Sequence, residues 1–80
     1  MSDRKKIAII GTGLIGGSLA LQLNEKGLAS TIVGVDSNEG HARKALELEL
    51  VDAMDNLDAA IAASDVVILA IPVDTIARML

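Results

Sequence analysis

Eighty residues with a net charge of −4, no aromatic side chain and no cysteine exclude several classes at once. The acidic balance and the absence of a basic cluster argue against nucleic acid or an acidic membrane surface as partners, and a chain without cysteine has no disulfide, thiolate nucleophile or zinc–thiolate site. A hydrophobic content of 51% with 0% aromatic residues predicts one small domain whose core is Ile, Leu, Val and Ala, as parallel strands covered by helices require.

The charged start, Met1 to Lys6, leads into only four apolar residues, too few for a signal sequence or a membrane span, so a soluble cytoplasmic protein is expected. Those four, Ile7 to Ile10, read as a strand buried on both faces. Gly11, Gly13 and Gly16 follow in the G-x-G-x-x-G spacing of dinucleotide-binding folds. Each has a separate task in that motif: Gly11 turns the chain, Gly13 leaves room for a pyrophosphate beside the backbone, and Gly16 lets the next helix lie close on the sheet. The N–H groups and the positive dipole end of the helix then face the phosphates.

That helix is predicted from about Leu14 to Lys26, with Leu19 and Leu23 toward the sheet, flanked by Ile15 and Ala20. Gly17 costs it about 1 kcal/mol, a cost that close packing or ligand approach would explain. Gly27 ends it. A second strand, Thr31 to Val35, ends at Asp36, which lies 20 residues past Gly16. An acidic residue at about that distance, closing a second strand, is the ribose-binding half of the motif. Ser37 or Asn38 can cap the next helix, from about Glu39 or Gly40 to Leu48, leaving Asp36 to the ligand. His41, in its first turn, has no partner in sequence and reads as a solvated surface residue.

Leu48 to Asp52 form an irregular link, and Val51 and Leu57 are expected to tuck under the sheet edge. A short helix, Leu57 to Ala63, carries Leu57 and Ile61 on one face. Val66 to Ile71 read as the third strand, stopped by Pro72, and Asp74 caps a fourth helix. Asp52, Asp55 and Asp58 read as a solvated acidic face rather than a metal site. The pattern is α/β: half of a Rossmann doubly wound parallel sheet, strand order 3-2-1, with helices on the faces. In that arrangement Ile7–Ile10 lie at an open edge, and the isolated chain is expected either to self-associate through strand one or to be only partly folded alone.

The run Ile9-Ile10-Gly11-Thr12-Gly13-Leu14-Ile15-Gly16-Gly17-Ser18-Leu19-Ala20 resembles the amino-terminal motif of prephenate and arogenate dehydrogenases. Ala45-Leu46-Glu47-Leu48, Leu50-Val51-Asp52 and Asp65 to Val73 agree with it. The resemblance implies oxidative decarboxylation in tyrosine biosynthesis, with hydride passing to a nicotinamide cofactor. It also implies an amino-terminal half-domain, residues 1–80, of an enzyme whose catalytic histidine and helical, dimer-forming carboxy-terminal domain lie in later segments, so that no catalytic residue falls in this chain. Gly11, Thr12, Gly13, Leu14, Ile15, Gly16, Asp36 and Ser37 form the expected cofactor-binding set, and the resemblance adds Ile71 and Pro72 as lining of the groove. Asp36, with no arginine after it, favours NAD over NADP. Glu49 stands where such relatives often carry glycine, and positive φ there would strain it. Another NAD-dependent dehydrogenase of this fold, or a non-catalytic nucleotide-binding module, remains an alternative.

Overall fold

The computed structural model describes residues 5–71. Pro72, like Asp74 and the fourth helix expected after it, lies outside the described residues. Four parallel strands and three helices alternate: β1 (Lys5–Ile10), α1 (Leu14–Lys26), β2 (Ala29–Val35), α2 (Glu39–Glu47), β3 (Ala53–Met54), α3 (Leu57–Ala63) and β4 (Val66–Leu69). The sheet order is β3-β2-β1-β4.

Order 3-2-1 therefore holds, but a different segment occupies the third position. Val66–Ile71, expected there, instead supplies β4 against the other side of β1, with Ile7 opposite Val66 and Ile10 opposite Leu69. The third place belongs to Ala53–Met54, just past the Leu48–Asp52 link, where no strand is expected. Asp52 secures it: its carboxylate accepts the Ile32 N–H at 2.7 Å, and its own N–H donates to the Ile32 carbonyl at 2.8 Å. Asp52 is thus a fastening of the sheet. The second correction follows from the first. β1 is bonded on both sides, so Ile7–Ile10 present no open edge to recruit another chain; among the described strands, β3 and β4 are the edges.

The two faces of β1 are packed separately, as its near-continuous apolar run anticipates. Ile7 and Ile9 join Ile32, Ala20 of α1, Ala45 of α2 and Val51 in one cluster. Ala8 and Ile10 are equally buried and face the other way, toward α3, whose buried residue is Ala60. Gly16 and Ala20 are the buried residues of α1, with Leu23 partly buried behind them. Ile15, expected toward the sheet, is exposed, and so is Ile61, expected to share one face with Leu57. The smallest side chains decide which faces go down, because they let a helix axis approach the sheet.

Candidate functional site

The C-terminal ends of β1, β2 and β4 are in register, with Ile10 opposite both Val35 and Leu69. The residues just past the three strands therefore meet at one rim: Gly11 after β1, Asp36 after β2, and Ala70 and Ile71 after β4. The chain leaves β1 for one side of the sheet and returns to its other side at β4, so this rim is the switch point where ligands of open α/β sheets bind.

Gly11 is pinned there. Its N–H donates to the Val35 carbonyl at 2.7 Å, and the Ala70 N–H donates to the Ile10 carbonyl at 2.8 Å. Its φ is +95°, and a Cβ would stand 2.6 Å from the Ala70 carbonyl oxygen and collide with the Ile71 side chain. A Cβ on Gly16 would overlap the Gly11 carbonyl oxygen. Gly13 differs from both. It is the extended N-cap of α1, with φ −74° and no side-chain cap, and the nearest atoms to a Cβ there would be those of the His41 ring, the first at 3.4 Å. Gly11 and Gly16 serve the turn; Gly13 leaves space beside the backbone. The first helical bond is Gly17 N–H to the Gly13 carbonyl at 2.8 Å. The N–H groups of Leu14, Ile15 and Gly16 precede it at the positive end of the helix dipole, where no acidic side chain competes for them.

Asp36 faces this turn across a dense set of hydrogen bonds. Oδ2 accepts the Thr12 N–H at 2.8 Å and the Thr12 hydroxyl at 3.1 Å, and lies 3.2 Å from Nδ1 of His41; Oδ1 accepts the Asn38 N–H at 2.8 Å. Asn38, not Asp36, caps α2, accepting the His41 N–H at 3.0 Å. Burial pushes the Asp36 carboxyl up, but the bonds from Asn38, Thr12 and His41 together outweigh it and hold the group below its ordinary value. The carboxylate is therefore ionised at neutral pH, one-tenth exposed, with acceptor capacity left on Oδ1.

Two grooves flank the glycine turn. One, of about 300 Å³, is lined by Ile10, Gly11, Val35, Asp36, Ser37, Leu57 and Ile71. The other, of about 400 Å³, lies between α1 and α2 and includes Gly13, Leu14, Gly17, Lys44, Leu48 and Leu50. The expected site residues thus divide. Gly11, Asp36, Ser37 and Ile71 border the first groove, Gly13 and Leu14 the second, and Gly16 is buried beneath the turn. Ile15 is exposed at the helix start and borders neither. Thr12 is buried, with its amide and hydroxyl both committed to Asp36, so it acts as a brace. His41, read from sequence as a solvated bystander, is half exposed yet bonded to Asp36 and stacked over Gly13. Its position alone could have signalled this. Helical side chains lean toward the N-terminus, and α2 starts at Glu39, three residues past Asp36. No helix among the described residues is long and apolar enough to cross a membrane.

The family model described as prephenate dehydrogenase, nucleotide-binding domain, matches residues 19–80. Prephenate dehydrogenase of Bacillus subtilis (strain 168) is 35% identical over 75 residues, 92% of this chain and 20% of that protein. Malate dehydrogenase 1 of Anaeromyxobacter dehalogenans (strain 2CP-C) is 52% identical over 50 residues, 61% of this chain and 16% of that protein. The chain thus spans a fifth or less of the length of these curated relatives. The crystal structure of prephenate dehydrogenase from A. aeolicus, in complex with hydroxyphenyl propionate and NAD+, superposes with a TM-score of 0.82 at 31% identity, covering 99% of this chain and 28% of that one.

Proposed function

Because this chain belongs to the family of prephenate dehydrogenase nucleotide-binding domains, we propose that it binds NAD as the cofactor-holding portion of a prephenate dehydrogenase. The observation that carries the proposal is the meeting, at one rim, of the open amide end of α1, the bare Cα of Gly13 and the ionised Asp36. The amides of Leu14, Ile15 and Gly16 would hold the pyrophosphate, and Asp36 would accept from the adenosine ribose through Oδ1. Ile10, Val35 and Ile71 give that end of the groove an apolar wall. When bound, the nicotinamide supplies a hydride acceptor. In the whole protein, hydride would pass to it from the prephenate ring as carbon dioxide leaves, a step in tyrosine biosynthesis. This chain's share is to bind and orient, and the catalytic residues lie in the rest of the polypeptide.

The identity with malate dehydrogenase 1 favours a second reading, an NAD-dependent hydroxy-acid dehydrogenase. The whole polypeptide assayed with prephenate and with malate separates the two. Calorimetric titration of the chain and of Gly13→Val with NAD tests the binding itself. The backbone there has an ordinary φ, and the nearest atoms to an added Cβ belong to the half-exposed His41 ring, which can turn aside. The variant should therefore keep its thermal transition and lose NAD binding. Normal binding by the folded variant would overturn the assignment of Gly13 to the pyrophosphate.

A further inference from the structure

Three facts about His41 belong together. Its Cε1, Nδ1 and Nε2 lie 3.4, 3.6 and 3.9 Å from the point where a Cβ on Gly13 would stand. The ring thus rests on the side of the backbone that the missing side chain leaves free for a pyrophosphate. Its Nδ1 is 3.2 Å from Asp36 Oδ2. A carboxylate only accepts, so Nδ1 is the donor. That bond has the same sense, and ends on the same carboxylate, as the bond a ribose hydroxyl would make. Finally, the ring is half exposed and, among the described residues, tied by this single side-chain bond, while the backbone beneath it is fixed by Asn38. It can therefore swing out by side-chain rotation while α2 stays in place.

Resting on the nucleotide-binding reading above, we propose that His41 is an intramolecular gate on the cofactor groove, standing in for the ribose at Asp36 and covering Gly13, and that it leaves when an adenine nucleotide enters. Oδ2 already holds both Thr12 donors. With His41 added it carries three, and a ribose hydroxyl reaches that oxygen only by replacing the ring. Oδ1, which among the described residues holds the Asn38 amide alone, stays available for a second hydroxyl. The bare protein thus fills Oδ2 of its own binding carboxylate, and a nucleotide whose ribose engages both oxygens must compete with the imidazole for one of them.

The test is calorimetric titration of the 80-residue chain and of His41→Ala with NAD and with AMP, which shares the ribose and a phosphate but lacks nicotinamide. Alanine suits the first turn of a helix and leaves the Asn38 cap intact. Opening the gate should tighten both ligands by the same factor, about two- to tenfold, the population freed by removing one exposed hydrogen bond. His41 is the sole histidine of the chain, so its ring resonances need no further assignment. In the unaltered protein they should move from hydrogen-bonded to solvent values as either nucleotide is added. Unchanged or weaker binding by His41→Ala, a gain confined to NAD, or ring signals that stay put would each overturn the gate while leaving nucleotide binding intact. If the unaltered chain binds neither ligand, the nucleotide reading fails and the gate with it.

Discussion

Helices α1 and α2 end in the same pair of bonds, with different residues at the turning point. At the end of α1, Leu28 N–H donates to the Leu23 carbonyl (3.1 Å) and Gly27 N–H to that of Asn24 (3.2 Å); at the end of α2, Leu50 donates to Ala45 (2.9 Å) and Glu49 to Leu46 (3.1 Å). Both are Schellman closures, which place one residue in the left-handed region. That residue is Gly27 at φ +64° in the first and Glu49 at φ +57° in the second. A side chain there costs about 1–2 kcal/mol, and glycine returns about 0.4–1 kcal/mol of that through the freer unfolded chain. The Glu49 side chain is exposed and forms no hydrogen bond or ion pair among the described residues, so it gives nothing back. Glu49→Gly should therefore stabilise the protein by about 0.5–1 kcal/mol, raising the melting temperature by about 2–8 °C for a domain of this size. Thermal and urea unfolding followed by circular dichroism measure it. Glu49→Gln is the control, because it removes the charge and keeps the Cβ. If Glu49→Gly is no more stable than Glu49→Gln, backbone strain is not the cause and the reasoning fails.

Three other substitutions separate the remaining roles. Gly16→Ala should prevent stable folding, since its Cβ would overlap the Gly11 carbonyl, whereas Gly17→Ala should raise stability by about 0.5–1 kcal/mol. At position 17 a Cβ meets only the end of Leu50, at 3.3 Å and beside an open groove, so equal losses in both variants would contradict this account. Asp36→Asn addresses acid stability. The folded carboxyl titrates below its ordinary value, so its stabilisation is complete above the ordinary carboxylate range and is lost as pH falls through the lowered folded value. Urea midpoints from about pH 6 to about pH 3 should fall less steeply in the variant, and parallel profiles would refute the claim. For cofactor choice, Asp36→Ala with Ser37→Arg should shift preference from NAD toward NADP in the whole enzyme; equal catalytic efficiency of the unaltered enzyme with both cofactors would remove the basis for this prediction.

Much of this architecture can be read from local signals. The limits of α1 follow from the glycine turn before it and Gly27 after it. Those of α3 follow from Asn56, whose side chain caps the helix at Ala59, and from the turn at Ser64. The glycine spacing and Asp36 likewise name the rim of the groove. The exchange of strand positions has a physical origin: a two-residue strand carries no periodicity. β3 exists because Asp52 fastens both polar groups of the Ile32 backbone, a contact across 20 residues that no hydropathy pattern announces. Missing β3 leaves Val66–Leu69 misplaced and β1 falsely exposed. His41 escaped for a related reason, because a lone imidazole on a polar turn gains meaning only from Asp36 opposite and Gly13 below.

The central place of β1 also sets the order in which the sheet can assemble. Of its two neighbours, β2 arrives first: the Thr12–Asp36 tie spans 24 residues, while the bond from Lys6 N–H to Asp65, at the mouth of β4, spans 59. The entropic difference between those closures is modest, about 0.6 kcal/mol per doubling of length, but on a ribosome the delay is real. The β1–α1–β2 unit emerges with one flank of its most apolar strand bare until β4 has been made. During that interval Ile7 to Ile10 are a target for chaperones and for other nascent chains, an exposure that the finished fold conceals.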